Sequence, residues 1–484
     1  FLTGVNCQEW YRCCRQYHPL LRCTYQTPLT VIRRMSSSSH VDNGVVHRQR
    51  ISPWPAVSME EAMTSIENSM PEGRCKFIPA TLAKPGHVLV SQVIARSNVP
   101  EYHTSTKDGY ALIASDPSPT RRVVGVQVAA PTTPNAHILQ LGECIRVCTG
   151  SILPPGADSV VMVENTILVQ HDGNEESVIE LKTTVKKGQD VRLPGADIKE
   201  GDVLLEAGTV LGPAEIGLLA SNARRDIEVY RRPRVCVMST GNEILDCTMD
   251  EQLCPGQVRD SNRPQLMALF RSRGFKPIDA GIVPDTREHL LGGLITAFRY
   301  SSVVVTTGGV SMGEKDLMKE VLEKNLKFKI HFGRVWMKPG LPATFATGLV
   351  DDLPCAVFAL PGNPVSSFVC AELFAVPALR KMGGYLKPHH TLIKVTLANS
   401  LKLDSRPEYA RAILREPSAS TGSSSSDSSS IVFLPTAYTT GTQCSSRLLS
   451  MAGANLLLRL PARTSDCTEL PAGTVVDALV VGAL

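Results

Sequence analysis

Residues 302–316, SVVVTTGGVSMGEKD, pass from a β-branched apolar run into a polar loop carrying two glycines, a hydroxyl and a carboxylate. Val303, Val304 and Val305 suit a parallel strand covered on both faces. Gly308 and Gly309 permit close backbone approach to a ligand, Ser311 adds a hydroxyl, and Asp316 puts a carboxylate where the next helix begins. That set suits a phosphate and its metal ion. For a lone Gly-Gly, an ordinary strand-to-helix turn is the competing reading.

The neighbours change the balance. Thr240-Gly-Asn-Glu243, Asp285 and Gly362-Asn363 each follow a strand-like segment, and Asp260-Ser-Asn262 precedes a helix. In a doubly wound sheet, ligands collect outside the carboxyl ends of the strands, so these loops are expected at one rim. Carboxylates crowded beside phosphate-binding glycines repel one another unless a divalent cation shares them, and Mg²⁺ suits carboxylate plus phosphate oxygen. Any single acid is also readable as a helix cap or a solvated charge; four at one rim are harder to dismiss.

Pro361-Gly-Asn-Pro-Val-Ser366 is a second device. Asn363 is expected to N-cap a helix with Pro364 in its first turn, leaving backbone N–H groups and the Ser366 hydroxyl for an anion; a plain cap is the alternative. Met337-Lys-Pro-Gly340 sets Lys338 on a rigid turn, where its ammonium can neutralise an oxyanion. The chain has no H-E-x-x-H or G-x-x-x-x-G-K-[ST], which argues against a zincin or a Walker-type NTPase. No histidine is assigned a catalytic role.

These loops need a scaffold, and 484 residues allow three or four domains. Hydrophobic residues make up 43% and charged residues 20%, and no apolar run approaches the roughly 20 residues of a membrane span. The net charge of +4 offers no broad basic face for nucleic acid. Fourteen cysteines without any C-x-x-C read as reduced thiols of a cytosolic chain. Cys7, Cys13, Cys14 and Cys23 cluster with His18, but their spacing fits none of the usual zinc-finger patterns.

Residues 1–50 carry seven arginines and only Glu9 and Asp42 as acids. A transit-like leader, the end of a longer protein's linker, and non-native sequence upstream of Met35 all remain open. Ser58-Met-Glu-Glu61 predicts a capping box and a helix start. Short β-type runs follow between about 120 and 190. Residues 233–385 alternate strand and helix, which implies a mostly parallel sheet covered on both faces. Past Pro388 short strands return, and the serine tract 418–430 is expected to be a disordered loop within them.

Six segments together resemble one family: TGGVSMGEKD (307–316), VMSTGNEIL (237–245), RDSNR (259–263), KDGYA (107–111), IHFGRVWMKPGLPATFAT (330–347) and FALPGNPVSS (358–367). They are similar to the molybdopterin molybdenumtransferases, or molybdenum insertases, and most to the gephyrin-type E domain, from about residue 52 to 484. The resemblance implies an α/β plus β chain: a doubly wound, three-layer molybdopterin-binding α/β subdomain at 233–385, flanked by β-rich subdomains. It implies an elongated subdomain from 52–110 and 190–232, an inserted β-rich subdomain at 111–189, and a C-terminal β-domain at 386–484, with 1–51 as leader or linker.

The implied reaction is insertion of molybdate into adenylylated molybdopterin with release of AMP, by a cytoplasmic homodimer. Asp316, Asp260 and Glu243 match the acids of the α/β pocket, with Mg²⁺ on them and Gly308, Gly309, Ser311 and Asn363 beside them. Asp108, Thr149 and Asp197 match the polar residues facing that pocket from the other subunit. Lys338, Ser366, Arg411 and Ser446 lie in segments resembling those that hold molybdate. Implied partners are a molybdopterin adenylyltransferase, as a separate chain or an upstream domain, and apo-molybdoenzymes. The rival role is a scaffold binding inhibitory neurotransmitter receptor tails, with peripheral membrane association. Two departures stand out: Leu341 replaces the second lysine of K-P-G-K, and the serine tract lengthens a loop between Arg411 and Ser446.

Overall fold

The computed structural model describes residues 54–130, 137–250, 252–310, 317–415 and 434–483. The proposed leader, the serine tract, Ser311 and Asp316 lie outside the described residues.

Six strands make the central sheet: β1 (Arg234–Thr240), β2 (Lys276–Val283), β3 (Val303–Thr307), β4 (Lys329–Phe332), β5 (Thr344–Val350) and β6 (Leu353–Leu360). Their order is β2-β1-β3-β6-β5-β4. Strands β2, β1, β3 and β6 run parallel, with Cys236 opposite Val304 and Val304 opposite Val357, so four carboxyl ends share one edge. Strands β5 and β4 are antiparallel additions that the alternation of strand and helix did not reveal. The β5–β6 turn has two residues, Asp351 and Asp352, at φ +49° and +60°. That is the twist a two-residue hairpin needs, and short polar side chains tolerate it.

Alternate residues of each strand enter different cores, as the period of two requires. Val235, Val237, Val303, Val305 and Phe358 pack with Leu266 and Phe270 of helix α1 (Asn262–Ser272) and with Val365 and Val369. Cys236, Met238, Val304, Val357 and Ala359 pack with Leu290 and Leu294 of helix α2 (Arg287–Phe298) and with Met318 and Leu322. Burial on both faces is why these strands read as apolar runs and not as alternation. The helix after β6 runs Pro364–Cys370, passes through a π turn at Ala371–Ala375 and continues as Val376–Met382.

Before the sheet, helix Met59–Ser69 has the expected capping box. Glu61 N–H donates to Ser58 Oγ at 3.1 Å, and Ser58 N–H donates to Glu61 Oε2 at 2.7 Å. A second six-stranded sheet spans Gly109–Leu112 to Glu175–Leu181. After the central sheet, five strands from Leu392–Leu397 to Val475–Val480 close into a barrel. Among the described residues no helix is long and apolar enough to cross a membrane.

Candidate active site

The loops after β1, β2, β3 and β6 meet at one rim. Thr240 Oγ1 donates to the Asp285 carboxylate, and Asp285 N–H donates to Asn242 Oδ1 at 3.1 Å. Gly308, at φ +91°, lies so close to the β1 loop that a Cβ on it would stand 2.1 Å from the Thr240 carbonyl oxygen. At Gly309, φ +68°, a Cβ would face Asp285 Oδ1 at 3.7 Å. Asn262 Nδ2 donates to Thr307 Oγ1 at 2.7 Å and to the Gly362 carbonyl at 2.6 Å, tying the start of α1 to the ends of β3 and β6. Glu243 is exposed on the β1 loop, with Val258 N–H donating to its carbonyl at 2.9 Å.

Asp260 arrives at this rim already engaged. Its side chain is buried, Oδ1 accepts from Ser239 Oγ at 2.9 Å and Arg263 N–H at 3.2 Å, and Oδ2 accepts from Arg263 Nε at 2.9 Å. The same guanidinium pairs with Asp246 at 2.5 Å and with Asp279. Burial alone would push Asp246 up, but Thr248 donors and Arg263 outweigh it and hold that carboxyl below its ordinary value. One cation therefore organises three acids from β2, the β1 loop and the start of α1.

A cleft of about 550 Å³ opens where the central sheet meets the barrel. Lys338, Asn363 and Ser366 line one wall, and Arg406, Cys444 and Ser445 the other. Lys338 Nζ lies 3.3 Å from Asp404 Oδ2 and 3.2 Å from Glu408 Oε2. Asn363 occupies the cap position of its helix, yet its side chain makes no capping bond; Nδ2 donates to Ser445 Oγ at 3.1 Å. The expected N-cap is thus a cross-wall contact, because Ser445 lies within reach and its carbonyl also takes the Val365 N–H at 3.1 Å.

Arg411 stands behind that wall, while Ser446 is exposed beside Ser445. Arg411 is fully buried, its Nη2 donating to the Cys444 carbonyl at 3.2 Å and to Ser450 Oγ at 3.1 Å, while Nη1 is buried without a hydrogen-bond partner. The Ser446 hydroxyl lies 3.3 Å from Cys444 Sγ and, with Ser446 N–H and the Arg411 charge, holds that exposed thiol below its ordinary value.

Asp108, Thr149 and Asp197 hydrogen-bond to no rim or cleft residue within the described chain. Thr149 N–H and Oγ1 donate to Asp108 Oδ1 at 2.7 and 3.2 Å, and Arg192 pairs with Asp197. The short strands Thr104–Ser105 and Val191–Arg192 pair antiparallel between these two contacts. All three residues are exposed.

Three family profiles match in succession: MoeA N-terminal region (domain I and II) at residues 57–223, a probable molybdopterin binding domain at 236–381, and MoeA C-terminal region (domain IV) at 394–481. A molybdopterin molybdenumtransferase from Nostoc sp. is 36% identical over 333 residues, covering 67% of this chain and 74% of its own length. The chain belongs to the molybdopterin molybdenumtransferase family. Molybdenum cofactor synthesis protein cinnamon from Drosophila melanogaster is 37% identical over 89% of this chain, and gephyrin from Dictyostelium discoideum 34% over 82%. The chain spans 67% and 58% of those two proteins. In fold it is similar to the molybdopterin biosynthesis moea protein from Pyrococcus horikosii, at a TM-score of 0.70 and 24% identity over 89% of this chain and 100% of that one.

In this molybdenumtransferase family member, the described residues do not assemble a three-carboxylate metal site. No group of three metal-ligating side chains stands among them, both Asp260 oxygens are held by Ser239 and Arg263, and Asp316 lies outside them. Sequence reasoning does not single out Arg263, Asp404, Arg406 or Glu408 as site residues. The three-residue spacing of Asp260 and Arg263 in RDSNR was a usable signal for the first. Nothing local links Glu408 to Lys338, 70 residues away.

Proposed function

We propose that this chain is a molybdopterin molybdenumtransferase that inserts molybdate into adenylylated molybdopterin, with release of AMP, in the last step of molybdenum cofactor biosynthesis. The observation that carries this is the loop after β6, which serves both places. Gly362 is bound into the rim by Asn262, and the next residue, Asn363, lines the cleft. A phosphate-bearing ligand on the rim and an oxyanion in the cleft would then lie side by side, which is the proximity a group transfer between them requires.

The division of labour follows from residue type. Gly308 and Gly309 let the backbone approach the ligand phosphates, and Ser311 and Asn363 add polar contacts. Lys338 and Ser366, with Arg406, hold the oxyanion, and Arg411 and Ser446 support the wall behind it. These groups orient two anions and stabilise charge; no covalent nucleophile is invoked. The central sheet acts as the doubly wound, three-layer molybdopterin-binding subdomain. Asp108, Thr149 and Asp197 complete the rim from the second subunit of a homodimer. Glu243, Asp260 and Asp316 would hold Mg²⁺, with Ser239 and Arg263 fixing the Asp260 carboxylate, and the ion would neutralise phosphoanhydride charge when bound. The setting is the cytoplasm, with an adenylyltransferase supplying the substrate and apo-molybdoenzymes receiving the product.

The test is direct: incubate the purified chain with adenylylated molybdopterin and molybdate, then measure AMP release and reconstitution of an apo-molybdoenzyme. AMP and active enzyme are expected together. Neither product above the protein-free background would overturn the assignment.

A further inference from the structure

Lys338 is the cation best placed to meet an oxyanion, yet two carboxylates already hold its ammonium. They are not equivalent. Asp404 is partly exposed and accepts from Arg406 Nε at 3.2 Å and Arg406 N–H at 3.1 Å. Glu408 is 4% exposed, and its second oxygen, Oε1, is buried without a hydrogen-bond partner. The backbone keeps it there: Lys338 and Glu408 form a β-bridge, with Lys338 N–H donating to Pro407 O and Tyr409 N–H to Lys338 O, both at 2.8 Å. A buried carboxylate with one unpartnered oxygen is expensive to keep charged, and here the Lys338 ammonium offsets that cost. If the ammonium turns to a ligand, Glu408 loses its compensation but cannot leave.

We propose that Glu408 is a positioning residue of the cleft, holding the Lys338 ammonium while the cleft is empty and releasing it to a tetrahedral dianion by taking up one proton. This rests on the oxyanion reading of the cleft given above. The charged groups acting on Glu408 are Lys338 from the loop between β4 and β5 and Asp404 and Arg411 from the barrel side, with Arg406 paired to Asp404. Burial raises the Glu408 carboxyl above its ordinary value against the pull of Lys338 and Arg411, and Asp404 adds repulsion. Burial acts on Asp404 too, but Arg406 and Lys338 outweigh it and bring that carboxyl down to about 2, so the proton goes to Glu408. Three cations against two anions leave the cluster one positive charge; protonated Glu408 leaves two, the match for a dianion.

Calorimetric titration of the full chain with sodium molybdate, in buffers of different ionisation enthalpy, counts the protons. Wild type is expected to take up about one proton per molybdate, with affinity falling up to about tenfold per pH unit above neutrality. Glu408→Gln is expected to bind molybdate without that uptake and with a flat pH profile, while Asp404→Asn keeps the wild-type uptake. Equal uptake in wild type and Glu408→Gln, or none in wild type, would overturn the role of Glu408. Failure of wild type to bind molybdate at all would overturn the oxyanion reading, and the proposal with it. If Glu408→Gln does not fold, the wild-type proton count decides alone.

Discussion

The rim and the cleft sit at the two ends of one loop and are made by opposite means. At the rim, room for a ligand comes from side chains left out: Gly308 touches the Thr240 carbonyl so closely that no Cβ fits. At the cleft, it comes from charges brought in, with Lys338, Asp404, Arg406, Glu408 and Arg411 meeting across two subdomains. The first depends on sterics along a single sheet edge, the second on a balance of desolvation and Coulomb energy. Damage to the first should be all-or-none, and damage to the second graded.

The severest test is Gly308→Val. A β-branched residue at φ +91°, with its Cβ aimed at a backbone oxygen, should cost on the order of 3 kcal/mol or more and abolish activity. Urea denaturation and the AMP-release assay measure both. A stable, active variant would mean that the rim does not depend on close backbone approach.

Arg263→Ala ranks next. It strips the shared cation from Asp246, Asp260 and Asp279 and leaves the buried Asp260 charge uncompensated, at a cost of about 3 kcal/mol. Arg263→Lys should recover only part, since an ammonium cannot reproduce the three-way fork. Full stability in the alanine variant would show that the acids at the rim need no organising cation.

How far each region was legible follows from the same contrast. Val303 to Val305, the capping box at Ser58 and the rim glycines were readable, because each signal lies within a few residues of its structural consequence. For Asp260, sequence shows the charge but not the Arg263 and Ser239 contacts around it. Strands β4 and β5 escaped because β5 is set by antiparallel register with β6 and β4 by register with β5, not by strand–helix alternation. Asn363 was read as a cap because Ser445, 82 residues on, could not be seen to compete for it. Glu408 was invisible for the same reason: its partner belongs to another subdomain.

Lys338→Ala should be milder than either rim change. Its expected effect is a rise of about tenfold in the KM for molybdate, about 1.4 kcal/mol, with little change in binding of adenylylated molybdopterin. Steady-state kinetics with each substrate varied separates the two. Equal losses for both substrates would mean that the rim and cleft do not divide the substrates as proposed.

The smallest effects discriminate best, because the two carboxylates on Lys338 should respond with opposite signs. Asp404 is brought down to about 2, so its unfolded form binds more protons as pH falls below about 4. Its contribution to stability is present above that point and lost as pH falls through about 2. Asp404→Asn should therefore cost roughly 1 kcal/mol near neutrality, the partly exposed position reducing the full linkage value. Glu408 is raised, so between its unfolded and folded values the native state binds more protons, and stability falls as pH rises through that window. Above it, the charged side chain is a net burden, and Glu408→Gln should leave stability equal or higher. Below the ordinary glutamate value of about 4.3 that gain should vanish. Urea denaturation of both variants near pH 7 and near pH 4 reads the signs. Equal destabilisation of the two at pH 7 would mean that Glu408 is an ordinary ion-pair partner of Lys338, and the distinction that makes it the proton acceptor would fail.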